Sequence, residues 1–257
     1  MCATCGQLYC PTNCPEYDPR EDPWHDNEVY RLCELCKEIL FSDSRICKEC
    51  EERLDKIRDT EIEFDPVEHV YTIDGKTVPC VSDIIAVFGK DIEEGDDLEL
   101  KMDAAAERGT TCHKVIETYL RHMVPEYPDE YEPYVDAIRL FLSEHQIQPI
   151  FIEQPIYSAK HNYAGTPDLL CFFDGYLTLI DYKFVSQIAK TKVKAQLNAY
   201  CKAYEEQEIY PEFLYAVQFL TDGTYRLYPV KWDDTELEVA LNLWDLKHKK
   251  HPRGEIT

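Results

Sequence analysis

Gly165-Thr166-Pro167-Asp168, followed by Asp181-Tyr182-Lys183, places two carboxylates and a lysine at a spacing that could do chemistry. In a strand, alternate residues share a face, so Asp181 and Lys183 point one way while Ile180 and Tyr182 point the other. Asp168, on the adjoining hairpin strand, can reach the same spot. Two neighbouring carboxylates resist joint ionisation unless a cation lies between them. Oxygen ligands of this kind suit Mg²⁺ or Mn²⁺. Such an ion polarises a phosphoryl oxygen and lowers the pKa of a bound water to give a nucleophile. Lys183 could orient that water and stabilise the charge that develops. By itself the pattern is also that of an ordinary exposed hairpin.

Two further groups have matching chemistry. Arg108-Gly109-Thr110-Thr111-Cys112-His113 is followed, four residues on, by Glu117, which shares a helix face with His113. A neutral imidazole there could complete a metal's coordination, although a lone histidine is more often a satisfied core or surface residue. Gln196 and Tyr200 face one side of a helix directly after the Lys183 strand. Gln196 could hold a phosphate or the water, and Tyr200 could contact backbone or base, or simply pack. Val78-Pro79-Cys80-Val81-Ser82-Asp83-Ile84-Ile85, upstream, carries no chemistry of its own.

The elements that must position these groups follow from periodicity. Residues 68–73 and 76–78 read as strands joined by a tight turn at Asp74-Gly75. Ser82 or Asp83 could cap a short helix ended by Gly89. A long helix is expected over 98–122, and a second begins with Pro133 in its first turn. Residues 151–157, 166–173 and 177–184 read as strands, the last two joined through Asp174-Gly175. A helix over 192–206 follows, then a hairpin of 213–220 and 224–230 with Asp222-Gly223 at its turn, and a helix over 235–249. This order describes an α/β domain with a mixed central β-sheet flanked by helices.

Eight of the twelve cysteines lie in the first 50 residues. Cys33-x2-Cys36-x10-Cys47-x2-Cys50 is a zinc signature of four thiolates in two pairs, suited to a closed tetrahedral structural Zn²⁺ site. Cys2, Cys5, Cys10 and Cys14 could bind a second zinc ion, with His25 able to replace one of them; spacing leaves cross-braced pairing open. Residues 1–58 are therefore read as a cysteine-rich zinc-binding module and 66–257 as the larger domain, with the boundary at 58–66. Cys80, Cys112, Cys171 and Cys201 read as small buried residues.

The formal net charge of −23 opposes phosphate binding over most of the surface. Charge is unevenly placed, however. Acid clusters in 91–99, in 126–132 and through the first 70 residues, whereas 183–202 contains five lysines and no acid. Lys190, Lys192 and Lys194 in that strip, with Arg108, Thr110, Gln196 and Tyr200, are the candidate nucleic-acid contacts. A second basic stretch covers 247–253; both stretches could equally be solvated helix faces. No apolar run spans a bilayer and no signal-peptide pattern opens the chain, so a cytoplasmic location is expected and no membrane partner.

Taken in order, R-G-T-x-x-H, G-T-P-D, D-x-K and Q-x-x-x-Y resemble the RecB-type branch of the PD-(D/E)XK nuclease superfamily. That branch includes phage recombination exonucleases, CRISPR adaptation exonucleases and the mitochondrial genome maintenance exonuclease. V-P-C-V-S-D-I-I is similar to a V-P-S-V-T-x-I-L segment that opens such domains, with Cys80 where serine is usual. The resemblance covers about residues 66–232. It implies a restriction-endonuclease-like core and a Mg²⁺- or Mn²⁺-dependent deoxyribonuclease acting on DNA ends or single strands, in phage or bacterial recombination, replication or repair. It also implies metal ligands at His113, Asp168, Asp181 and the backbone carbonyl of Tyr182, with Lys183 catalytic. Glu117 and Glu153 fall near the pocket without being assigned as ligands. No iron–sulfur cluster is expected, because nothing after Cys201 supplies three more cysteines. The alternative is a non-catalytic DNA-binding or adapter protein on the same fold, recruiting a recombinase or helicase through the zinc module; the acidic charge favours it and the intact Asp168, Asp181 and Lys183 set opposes it. A sequence-specific endonuclease is a third possibility, without a separate recognition domain to support it.

Overall fold

The computed structural model describes residues 31–36, 39–40, 46–65, 68, 70–88 and 98–248. Cys2, Cys5, Cys10, Cys14 and His25 lie outside these residues, as do 91–97 of the acidic stretch and 249–253 of the basic one. The chain divides into two compact units between Glu51 and Glu52.

In the first unit, β1 (Arg31–Leu32) pairs antiparallel with β2 (Ile39–Leu40), and α1 (Lys48–Asp59) begins just after Cys47. The sulfurs of Cys33, Cys36, Cys47 and Cys50 all lie within 4.8 Å of one another, and none is in a disulfide. Cys36 and Cys47 Sγ are 3.6 Å apart. A tetrahedral ion with metal–sulfur bonds of about 2.3 Å needs sulfurs about 3.8 Å apart, so this group could hold zinc. Burial would raise the Cys33 thiol pKa, but backbone N–H groups of Cys36, Cys47 and Leu35 bring it down to about 7.

The second unit is built on a five-stranded sheet in the order β12-β11-β10-β9-β6. Its strands are β6 (Ile147–Ile152), β9 (Leu169–Phe173), β10 (Tyr176–Lys183), β11 (Phe213–Phe219) and β12 (Tyr225–Val230). Only β10 and β11 run parallel, joined by the crossover helix α5 (Lys190–Glu205), so the sheet is mixed as the sequence predicts. Phe173 pairs with Tyr176 across a two-residue turn in which Asp174 (φ 48°) and Gly175 (φ 90°) are both left-handed. Such a turn matches the strand twist. The Asp174 carboxylate also accepts the Gln146 N–H at 2.8 Å, tying the turn to the start of β6.

Alternation along the strands separates two faces. Leu169, Cys171, Ile180, Tyr182 and Val217 pack on one side with α3 (Leu98–Leu120) and α4 (Glu132–Glu144). Phe141 of α4 sits at the centre of that layer, stacked 5.9 Å from Phe173 and edge-on to Phe219 and Tyr225. Leu179, Asp181 and Lys183 have the opposite parity and lie beneath α5, which α6 (Thr235–His248) packs against. Cys80, Cys112, Cys171 and Cys201 are all buried. Among the described residues no helix is long and apolar enough to cross a membrane.

Three differences from the sequence expectations matter. Helical periodicity gives no sign of α1, whose short apolar side is Leu54 and Ile57. The expected strand over 151–157 is two strands in different sheets, β6 and β7 (Ile156–Ser158), broken at Glu153 (φ 51°) and Pro155. The left-handed backbone at Glu153, directly after Ile152, turns the chain out of the first sheet. The expected strand over 166–173 starts only at Leu169; the residues before Thr166 form β8 (Tyr163–Gly165), paired with β7, and Pro167 interrupts the run. The remaining elements are a three-stranded antiparallel sheet of β3 (Ile62–Asp65), β4 (Val70–Ile73) and β5 (Lys76–Val78), and the short helix α2 (Val81–Ile85).

The cysteine geometry generates a prediction. Purified protein should contain zinc, and Cys33→Ser or Cys50→Ser should remove about one equivalent per chain by elemental analysis, since each opens the tetrahedral set. Zinc content unchanged in both variants would contradict it.

Candidate active site

The sheet register brings three acidic residues into one row. Ile180 pairs with Leu169, and Ile152 pairs with Leu169 from the other side. The next residues in this row are Asp181 within β10, Asp168 just before β9 and Glu153 just after β6. Glu153 N–H donates to the Asp168 carbonyl at 3.0 Å, which continues the ladder through this row. Directly opposed residues of an antiparallel pair share a face, so the register sets Asp168 beside Asp181, while Glu153 is placed by the left-handed turn that follows β6.

His113 reaches the row from α3. Its Nδ1 is 3.5 Å from Glu153 Oε1 and 3.5 Å from Asp168 Oδ1, and these three ligand atoms fall within 4.8 Å of one another. The ring is set edge-on against Phe184 at 5.3 Å and Tyr182 at 6.1 Å. Burial disfavours its charged form, but the Asp168 carboxylate, with help from Glu153, outweighs this and raises its pKa to about 9. Asp168 is only 8% exposed. Burial raises its pKa, and its Oδ2 accepts the Tyr182 N–H, which fixes the carboxylate to β10.

Asp181 is 1% exposed, and burial raises its pKa to about 6. Lys183 Nζ stands 2.6 Å from its Oδ2. Desolvation works against the Lys183 ammonium, yet Asp181 and then Asp168 hold its pKa above the usual lysine value. An ammonium held in this way can supply positive charge to the site. The ammonium also donates to Gln196 Oε1 at 3.1 Å, and Gln196 Nε2 donates to Tyr200 OH at 3.3 Å. One hydrogen-bonded chain thus runs from α5 to the row.

The structure brings together His113, Asp168, Asp181, Lys183, Gln196 and Tyr200. It also adds Glu153, which the sequence places only near the pocket. Its carboxylate is a member of the compact donor group with His113 and Asp168, whereas Asp181 faces Lys183 and falls outside that group. No local signal marks Glu153 as a donor: β6 stops at Ile152, and the alignment of three strands brings the next residue to the row. Glu117 lies apart, paired with Lys114 at 2.8 Å and Arg121 at 3.0 Å. Two oxygen donors and an imidazole nitrogen at these separations fit a small divalent cation. The Tyr182 side chain is buried on the opposite face, leaving only its backbone to face the row.

Several expected nucleic-acid contacts are committed elsewhere. Arg108 Nε donates to the Phe184 carbonyl at 3.1 Å and its guanidinium lies over Tyr134 at 5.7 Å, so it closes the end of β10. Thr110 donates to Ala106 O within its own helix. Lys194 is paired with Asp233 at 2.9 Å and Glu236 at 2.7 Å. Lys190 is exposed and Lys192 half-buried in the first turn of α5.

The V-P-C-V segment, without chemistry of its own, supports the turn that carries Asp168. Pro79 O accepts the Ala164 N–H at 2.9 Å, and Cys80 bridges to Ala164. A Cβ added at Gly165 would lie 2.7 Å from Tyr200 Cε1 and 3.0 Å from Val81 Cγ2. The glycine of G-T-P-D is thus the space into which Tyr200 packs. A groove of about 470 Å³ opens beside the row, bordered by Glu153, Gln196 and Tyr200 on one side and by Phe64 and Tyr71 on another.

No protein-family model and no curated protein matches this chain. Among solved structures, similar ones include an alkaline exonuclease, LHK-Exo, from Laribacter hongkongensis and LHK-Exo in complex with dAMP. The dAMP complex is 12% identical with a TM-score of 0.35, over 66% of this chain and 87% of that one. The other is 14% identical with a TM-score of 0.34, over 63% of this chain and 84% of that one.

The close approach at Gly165 is testable. Gly165→Ala should overpack the site, cost about 1–3 kcal/mol and lower the midpoint of urea unfolding. An unchanged midpoint would mean that Tyr200 is not held against this glycine.

Proposed function

We propose that this chain is a divalent-metal-dependent deoxyribonuclease of the RecB-type PD-(D/E)XK kind, acting as an exonuclease on DNA ends or single strands. The observation that carries the reading is the row of Glu153, Asp168 and Asp181 with His113 and Lys183 at its two sides. That is the set of residues the ordered motifs pick out, with Glu153 added.

On this reading His113, Glu153 and Asp168 hold Mg²⁺ or Mn²⁺, with Asp181 and the Tyr182 carbonyl beside them. The ion, when bound, supplies Lewis acidity toward a phosphoryl oxygen and acidifies a water. The protein's own residues do the rest. His113 must give up its proton to become a ligand, so metal uptake displaces a proton from the site. Lys183 stays charged and is aimed by Gln196, which places positive charge where the phosphorane-like transition state gathers negative charge. Asp181 anchors Lys183 in that position. The Tyr182 N–H keeps the Asp168 carboxylate turned toward the row.

The zinc module in this reading is a docking surface for a recombination or replication protein, its acidic character suiting protein better than DNA. The net charge of −23 favours a second reading, a non-catalytic DNA-binding or adapter protein on the same fold. The two readings part at catalysis.

The test is cleavage of end-labelled single- and double-stranded DNA with Mn²⁺, Mg²⁺ or EDTA. Wild type should shorten DNA with metal and not with EDTA. Lys183→Ala should lower the rate by about 10²–10³-fold or more, the usual cost of removing a placed electrostatic group. Asp181→Ala and the isosteric Asp181→Asn should do the same, with melting temperatures showing that each variant is folded. Wild-type rates in folded variants would sink the site assignment, and no cleavage by folded, zinc-loaded wild type would favour the adapter reading.

A further inference from the structure

Basic residues near the acidic row are not all spent in the same way. Lys194 lies between two acids, Asp233 and Glu236, so negative charge is in excess around it. On α3 the ratio is reversed. Glu117 lies between Lys114 Nζ at 2.8 Å and Arg121 Nε at 3.0 Å, so two cations share one acid and positive charge is in excess. The Lys114 side chain is 71% exposed and that of Arg121 46%. Exposed ion pairs on a helix are weak, so Glu117 holds neither cation tightly. Arg121 also donates from Nη2 to the Ile152 carbonyl at 3.4 Å, and among the described residues neither side chain has a further hydrogen bond or ion pair. Of the five guanidinium N–H donors, three are therefore unspent.

The position of this trio gives the spare charge a use. Ile152 directly precedes Glu153, and β6 is the last strand in its sheet, so Arg121 stands at the outer end of the row. At the inner end the row is flanked by β11, whose Ala216 pairs with Asp181. His113 lies one turn before Glu117 on the same helix face, a rise of about 6 Å. Long helical side chains lean back toward the N-terminus, which brings the Arg121 guanidinium to the level of Glu117. Successive phosphates of one strand are spaced by about 3.4 Å along a duplex axis and by more in an extended strand.

On the premise that the nuclease reading above holds, we infer that Arg121, with Lys114 beside it, binds one backbone phosphate of the DNA strand that passes over β6, one or two nucleotides from the scissile bond. The planar guanidinium fork suits two phosphate oxygens. Glu117 keeps both cations on this face and limits their excess to a single charge, enough for one phosphate. A contact of this kind sets the register of the strand and carries no sequence information. Neither residue belongs to the motifs that mark the site.

The test measures single-stranded DNA binding by fluorescence anisotropy in Ca²⁺ across a salt series, and cleavage of the same DNA in Mn²⁺. Arg121→Gln should weaken binding and raise KM about fivefold, the upper range for one exposed ion pair. It should also flatten the plot of log Kd against log salt by about 0.7, the single-strand value for one phosphate. Lys114→Gln should move both in the same direction by less, and Arg121→Lys, which keeps the charge, should keep the wild-type slope. Glu117→Gln frees both cations and should do the reverse, giving tighter binding and a steeper slope. A neutral methylphosphonate linkage walked along the strand should cost wild type the same factor at one position and cost Arg121→Gln nothing more there. Binding that depends on Arg121 in this way, with no strand cut, would support the contact and sink the nuclease reading alone. Cleavage with wild-type KM, salt slope and methylphosphonate profile in Arg121→Gln and Lys114→Gln would overturn the contact and leave the nuclease reading standing.

Discussion

Burying Asp181 beside Asp168 sets a problem that much of the second unit is arranged to solve. Desolvation disfavours the Asp181 anion, and the neighbouring Asp168 carboxylate adds to that. Lys183, two residues along the same strand and on the same face, answers it with an ammonium 2.6 Å from Asp181. That ammonium is held by Gln196, Gln196 by Tyr200, and Tyr200 fits only because residue 165 has no Cβ. A buried ion pair of this kind adds little to stability by itself. Removing one partner is costly, about 3–5 kcal/mol in comparable cases. The arrangement is therefore fixed in place rather than strengthening the fold, which is the behaviour expected of a site kept for chemistry.

Much of this was legible in the sequence, for identifiable reasons. Period-two alternation in 177–184 places Asp181 and Lys183 together, and helical spacing places Gln196 beside Tyr200. Asp74-Gly75 and Asp174-Gly175 mark two-residue turns, and both form them with left-handed backbones. The fold class follows from the order of elements. Glu153 was not legible as a donor, because its position depends on where β6 stops and on how three strands align, and register is a long-range property. The support given by Pro79, Cys80 and Val81 to the Asp168 turn was hidden for the same reason: those contacts join residues more than 80 positions apart. The partners of Arg108 and Lys194 were likewise out of reach of the sequence: Phe184 O and Tyr134 for the one, Asp233 and Glu236 for the other, all brought in by the tertiary fold.

The charge balance limits what most of the surface can offer a nucleic acid. With a net charge of −23 and Lys194 paired with acids, the protein has little electrostatic pull on a phosphate backbone outside its lysine strip.

The central claim is that His113, Glu153 and Asp168, with Asp181 beside them, form a divalent-cation site. Diffraction from crystals soaked in Mn²⁺, collected at the manganese absorption edge, tests it most directly. The account predicts an anomalous peak within about 2.0–2.6 Å of the His113 ring nitrogen and the facing carboxylate oxygens, the span of first-sphere oxygen-donor distances, and no such peak in Asp168→Asn. Manganese bound elsewhere, or none at the row in well-ordered wild-type crystals, would contradict it.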